Sequence, residues 1–262
     1  MKTNYIIILM LLLTVSCLAQ QDAQYSHYMY NTITINPAYA GNRGVTSIFA
    51  LHRTQWVGLD GAPVTNAVSI NAPIENSRIG IGISFVNDNI GASTQNNISA
   101  DISYTIPFSE EFDLSFGIKA TADLLNVDYT KLDRYNLSDP KFQSSIDNSF
   151  LPNIGTGLYL HSDKMYVGLS VPNFFRDKHF DDNSSNTIVD RLHFYLIGGY
   201  VFDLNPNLQF KPSFMTKIVT GAPLQLDVSA NFLIQEKFTL GVAWRWDAAA
   251  TALAGFQISN GL

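Results

Sequence analysis

Cysteine is almost missing from this chain: Cys17 is the sole one in 262 residues. Because it stands so near the start, the remainder holds no disulfide framework and no cysteine metal ligands. Cationic side chains are scarce as well, 16 Lys and Arg against 22 Asp and Glu, for a net charge of -6. They are spread along the chain, so no basic patch exists to hold nucleic-acid phosphates, and nucleic acid is excluded as a partner. Long apolar runs are lacking after Val15, none approaching the roughly 20 residues that a membrane helix needs. If the body of the chain enters a membrane it does so as a closed sheet, because hydrocarbon leaves open backbone edges unsatisfied.

Residue types used in catalysis are present without the spacing of catalysis. The five histidines, His27, His52, His161, His179 and His193, lack the short helical or loop spacings of a metal site. Asp128, Asp133 and Asp139, and again Asp177, Asp181 and Asp182, gather in two connections without EF-hand spacing, which makes them solvated loop charge. No glycine-rich phosphate loop occurs, and no Ser stands out as a nucleophile supported by His and an acidic partner. The expectation is a protein without enzymatic activity, metal or cofactor.

What the chain does have begins with an export signal. Lys2 precedes an apolar run from Tyr5 to Val15 that ends in Ser16-Cys17-Leu18-Ala19, the pattern of a secretory signal peptide over residues 1–19. The run is too short to cross a bilayer core of about 30 Å as a helix. Cleavage after Ala19 leaves Gln20 as the first mature residue. A lipoprotein reading, with Cys17 as the acylated N-terminus, stands beside it, although Thr14 occupies a position where such sites usually carry Leu.

From Ser47 onward one theme repeats: segments of about ten residues alternating with period two and separated by turn residues, the signature of transmembrane barrel strands. Ile79, Ile81, Ile83 and Phe85 alternate with Gly80, Gly82 and Ser84, and Leu114, Phe116, Ile118 and Ala120 with Ser115, Gly117, Lys119 and Thr121. Soluble strands cluster near five or six residues, whereas tilted membrane strands need about ten, so segment length favours the membrane. The segments fall at 47–57, 66–73, 78–87, 95–106, 113–125, 151–161, 164–171, 191–202, 208–219, 223–233, 238–246 and 249–259. Every second connection is short: 74–77, 107–112, 162–163, 203–207 and 234–237. The intervening ones include the two longest, 126–150 and 172–190. Short periplasmic turns and longer external loops have this parity, which puts the N-terminus in the periplasm. Aromatics flank three short turns in the lipid-facing phase, Tyr104 with Phe112, Phe202 with Phe210 and Phe232 with Phe238, as a headgroup girdle does.

The fold class expected is therefore all-β, an antiparallel up-and-down transmembrane outer-membrane barrel with about twelve strands in view. Two features fit less well. Pro212 falls inside a strand segment and removes a ladder donor, so a bulge or local break is expected there. The chain also stops on the turn-like Ile258-Ser259-Asn260-Gly261-Leu262, with no following strand to pair back to the first.

The stretch before the first strand carries further signals. Gln24-Tyr25-Ser26-His27-Tyr28-Met29-Tyr30-Asn31 leads into Ile35-Asn36-Pro37-Ala38-Tyr39-Ala40-Gly41. Then come Arg53-Thr54-Gln55-Trp56-Val57-Gly58, Asp60-Gly61-Ala62-Pro63, Val171-Pro172-Asn173, Pro212-Ser213-Phe214 and Gly255-Phe256-Gln257. In these motifs the sequence resembles the PorP/SprF family of the Bacteroidetes type IX secretion machinery, across nearly all of the mature chain. The resemblance implies an outer-membrane barrel, without catalysis, that works in type IX secretion and gliding motility and assists export or surface anchoring of secreted adhesins. Its implied partners are outer-membrane lipid, periplasmic secretion-machinery components, and a secreted surface adhesin or its C-terminal domain. Family members commonly continue for two more strands and end on an aromatic residue, so the resemblance implies either a truncated chain, with about fourteen strands in full, or a barrel that is smaller or closed differently. A porin-like or fatty-acid-channel-like transport barrel for small or lipidic substrates is the alternative.

Three parts result: the signal at 1–19, a periplasmic signature segment at 20–46 and the barrel at 47–262. The dense aromatic patch of the segment either folds back to fill the lower lumen, where Gly80, Gly82, Gly155 and Gly157 leave room, or serves as a docking peptide or a simple lead-in. Candidate partner-binding residues are Tyr28, Met29, Tyr30, Asn36, Pro37, Tyr39 and Gly41 in the segment. Arg53, Gln55, Trp56, Asp60, Gly61 and Pro63 join them in the first external loop and the strand before it. Arg53 and Gln55 share one phase and face the lumen, where Arg53 either contacts a ligand or pairs with a carboxylate such as Asp101, Asp123 or Asp227. Trp56 takes the other phase, at the interface.

Overall fold

The computed structural model describes residues 28–132, 145–175 and 192–258, apart from the side chain of Asn148. The leader at 1–19, His27, His179, Asp133, Asp139, Asp177, Asp181, Asp182 and residues 259–262 lie outside the described residues. Thirteen strands make one sheet. They are β1 (Ser47–Thr54), β2 (Val64–Pro73), β3 (Ile79–Ile90), β4 (Ser93–Pro107), β5 (Asp113–Val127), β6 (Ile146–His161) and β7 (Met165–Val171). β8 (His193–Tyr200), β9 (Phe202–Asn205), β10 (Leu208–Val219), β11 (Gln225–Ile234), β12 (Phe238–Arg245) and β13 (Ala249–Phe256) complete it. Each strand pairs antiparallel with its neighbour in sequence, and β8 and β9 are two halves of one span along β10. Among the described residues no pairing joins β1 to β13.

The two faces of this sheet are reversed relative to a soluble protein. Polar side chains are buried: Ser115 is 0 % exposed, Lys119 3 % and Asp101 5 %. The residues between them in sequence point outward, with Ile83 58 %, Ile118 58 % and Val242 62 % exposed. Period-two alternation puts each set on one face. Only a surrounding apolar solvent makes an oily exterior stable, so the exposed stripe is the lipid-facing surface of a membrane barrel. No described helix is long and apolar enough to cross a membrane; the strands make the crossing.

Both ends of the lipid-facing band are marked by side chains. On β1 to β4 it gives way toward the long-loop end to a polar row that runs across the sheet. His52 Nδ1 lies 2.7 Å from Asn66 Oδ1, Asn66 donates to Asn87 at 3.4 Å, and Asn87 donates to Asn96 at 2.8 Å. This cross-strand ladder holds β3 and β4 together down to Gly91 and Ala92, although its Asn-rich composition reads as loop over 88–94. At the opposite end Phe202, Phe210 and Phe232 stack in sequence, with centroids 6.1 and 4.8 Å apart, and Phe238 meets Phe256 at 5.0 Å. Tyr104 pairs with Phe116 across the β4–β5 hairpin, and Phe112 immediately precedes β5.

Pro212 does not break its own strand. The β10 ladder with β11 runs through Pro212↔Ala230 without a shift, and the interruption falls on the other side, at Val201 between β8 and β9. Pro212 has no N–H to give that neighbour, while Val201 N–H donates to Lys164 O at 2.7 Å, toward the β7 side.

Candidate functional site

Residues 28–42 stand outside the sheet and carry two 3-10 turns, Thr32–Thr34 and Pro37–Tyr39. Asn36 starts the second: its side-chain oxygen accepts the Ala38 N–H at 3.0 Å, and Pro37 occupies a first-turn position where no N–H is needed. The amide nitrogen of the same side chain donates to Leu158 O of β6 at 2.9 Å. One asparagine therefore shapes the turn and moors it to the wall.

Further moorings come from other strands. Ser69 of β2 donates to Asn31 at 2.8 Å, Gly41 N–H donates to Asn71 of β2 at 3.2 Å, and Ser103 of β4 donates to Ala40 O at 2.7 Å. Ser115 of β5 donates to Asn42 at 3.0 Å. Lys119 of β5 sits 2.9 Å from Asp101 of β4 and donates to Ile33 O at 3.1 Å, with both charged side chains almost fully buried. Close approach of the backbone depends on glycine: a Cβ at Gly117 would overlap the Pro37–Ala38 peptide, and one at Gly157 the Asn36 side chain. Gly80 and Gly82 lie in the same way beneath Ala40 and Ile33, while Gly155 accommodates Pro172.

On the other side of the segment, Tyr39 packs edge-on against Tyr159 of β6, with centroids 5.5 Å apart, and Tyr159 stacks on Tyr166 of β7 at 5.8 Å. Tyr28 lies beside Tyr166 and, on β11, beside Asp227 and Ser229. A segment this short touches β2 through β7 and β11 together only if the sheet curls around it. The polar face is thus the wall of a lumen, and residues 28–42 occupy it. Burial pushes the Tyr28 and Tyr39 phenols above the ordinary tyrosine pKa, so both stay protonated at neutral pH.

The connection from β1 to β2 lies at the long-loop end. Gln55 N–H bonds Pro63 O at 3.0 Å to close it, and Gly61 O accepts from Gly91 N–H at 2.9 Å, leaning the loop on the β3–β4 turn. Trp56, with a positive φ of 45°, is 66 % exposed, and Val57 and Leu59 project beside it.

Residues 17–262 match the family described as type IX secretion system membrane protein PorP/SprF. The chain belongs to that family. It is an outer-membrane β-barrel protein of the type IX secretion system, and this membership is of a secretion-system protein rather than of an enzyme class. No curated protein matches the chain. Among solved structures it is similar to the β domain of the Bordetella autotransporter Brka, with 8 % identity, 80 % of this chain and 94 % of that one covered, and a TM-score of 0.36.

In this PorP/SprF barrel the candidate partner-binding residues fall into two separate groups. Tyr28, Met29, Asn36, Pro37 and Gly41 are buried in the lumen, Tyr39 is half-buried, and Tyr30 is exposed. While the segment is seated, the wall covers most of that group. Arg53 and Gln55 lie half-buried in the inward phase of β1 and its extension, Pro63 is buried, and Trp56, Asp60 and Gly61 are exposed on the loop. Asp101 is engaged by Lys119, and Asp227 by Arg245, whose Nε and Nη2 reach its two oxygens at 2.7 and 2.9 Å. Sequence reasoning missed Lys119 as a mooring residue. Its signal was the register of the β4–β5 hairpin, which sets Lys119 opposite Asp101.

Proposed function

We propose that this PorP/SprF protein assists the export or surface anchoring of adhesin-type proteins. Its external face holds such a cargo or its C-terminal domain, and its short-turn face meets periplasmic components of the machinery. The observation that carries this reading is the seated segment. With residues 28–42 bonded to β2, β4, β5 and β6, the lumen is an occupied interior, which supports an interaction protein over a porin-like or fatty-acid-channel-like barrel. The exposed Trp56, Val57 and Leu59 of the first external loop give the cargo side an apolar contact, since aromatic and aliphatic anchors dominate binding energy at interfaces. Deleting the gene tests the role: adhesins are expected to remain inside the cell, and normal surface display in the deletion strain contradicts it.

A further inference from the structure

The polar row at the external end of β1 to β4 keeps hydrogen-bonding capacity that the sheet does not use. Register sets His52, Asn66, Asn87, Asn96, Leu124 and Phe150 side by side on six successive strands, all in the outward phase. The three asparagines are half-buried, whereas His52 and Phe150 are exposed. One outward position closer to the strand ends, Thr94 donates to Asn89 at 2.8 Å, and Asn89 donates to Asn87 at 2.7 Å. One outward position closer to the membrane centre, Val68, Phe85 and Ile98 pair across the same strands and are exposed and apolar.

A side-chain amide has two N–H groups, and the ladder spends one of them at each rung. Asn66 gives one to Asn87, and Asn87 gives one to Asn96; among the described residues each keeps its second, and Asn96 keeps both. Bonds along the row fix the amide planes, so these donors are in place before any ligand arrives. The feature is local. On β12 and the turn after it, the same end of the barrel carries the stacked Trp244 and Trp246, with centroids 6.3 Å apart. The row and the outward residues beyond it, Thr54, Val64, Asn89 and Thr94, include no Lys, Arg, Asp or Glu. A phosphate head finds no counter-charge there, since its strong contacts come from guanidinium and ammonium groups. Hydroxyls, which donate and accept at once, match amides that do the same. Phe150 stands two strands from Asn96, about 10 Å. Its exposed ring gives the C–H face of a sugar an apolar surface.

We propose that this row binds one lipid of the outer leaflet that carries an uncharged head of two sugar rings. The head lies along Asn66, Asn87 and Asn96 and reaches Phe150, and an acyl chain runs down the stripe of Val68, Phe85 and Ile98. Continuity of the row with the lipid-facing band favours a lipid over a protein partner. Such a lipid lies on the outer side of β2 and β4, whose inner sides moor residues 28–42. The site is independent of any cargo, and its failure leaves the export reading intact.

Native mass spectrometry of the full chain, released from uncharged, sugar-free polyoxyethylene micelles containing digalactosyldiacylglycerol, tests it. Saturable retention of one glycolipid per chain is expected, weakened at least tenfold in Asn87→Leu, Asn96→Leu and Phe150→Ala and kept in Phe150→Tyr. Heat-modifiable migration of each variant on a gel verifies that the barrel has formed. Phosphatidylethanolamine and plain diacylglycerol with the same acyl chains are expected to be held at least tenfold more weakly. No saturable retention, equal retention of either sugar-free lipid, or retention unchanged in either asparagine variant or in Phe150→Ala overturns the proposal and leaves the row to a protein partner.

Discussion

At Lys119 one ammonium is shared between Asp101, 2.9 Å away, and the carbonyl of Ile33 at 3.1 Å. Two charges taken out of water are tolerated only while they face each other, so removing one strands the other. Lys119→Met is expected to destabilise the barrel by about 3–5 kcal/mol, read as a lower temperature for loss of heat-modifiable migration. Adding Asp101→Leu is expected to restore most of that stability, whereas trypsin cleavage at Arg43 stays fast, because Ile33 remains unmoored. Gly117→Val is expected to unseat the segment by filling the space of the Pro37–Ala38 peptide, with faster cleavage at Arg43 and an unchanged strand signal in circular dichroism. Gly80, Gly82 and Gly157 were legible as room for the segment because glycine inside a strand marks a close approach. Lys119 was not legible as its anchor, since alternation assigns a face but not a cross-strand partner, and that partner depends on hairpin register.

Strands were the most legible level, because ten-residue alternation has few other physical meanings. Their ends were less so. Asn87, Asn89, Asn96 and Asn97 have the composition of a turn, yet amide-to-amide bonds extend β3 and β4 through them. Pro212 was read as a fault in its own strand, and the fault lies in the neighbour that would have received its N–H. The membrane reading makes a depth-dependent forecast for a single inserted charge on the lipid-facing phase. Ile118→Arg, mid-strand on β5, is expected to cost about 2–4 kcal/mol, and Asn96→Arg, in the polar row, about 0–1 kcal/mol. Denaturant titration of barrels folded into lipid vesicles measures both, and equal costs at the two positions contradict the assigned depth.

For the molecule as a whole, an oily exterior and an occupied polar interior have one electrical consequence. The intact barrel is expected to be silent in planar bilayers, and deletion of residues 28–42 to produce open steps; large steps from the intact chain favour the transport barrel. The orientation of the two faces can be tested directly because Cys17 is the chain's only cysteine. Single cysteines placed in turn at positions 98–104 and 114–120, in a background with Cys17 replaced, are labelled with a nitroxide in lipid vesicles. Collision with oxygen dissolved in the bilayer is expected to be high at the even positions, among them Ile98, Ile102, Phe116 and Ile118, and low at Ser99, Asp101, Ser115 and Lys119 between them. Uniform accessibility, or the opposite alternation, contradicts the account.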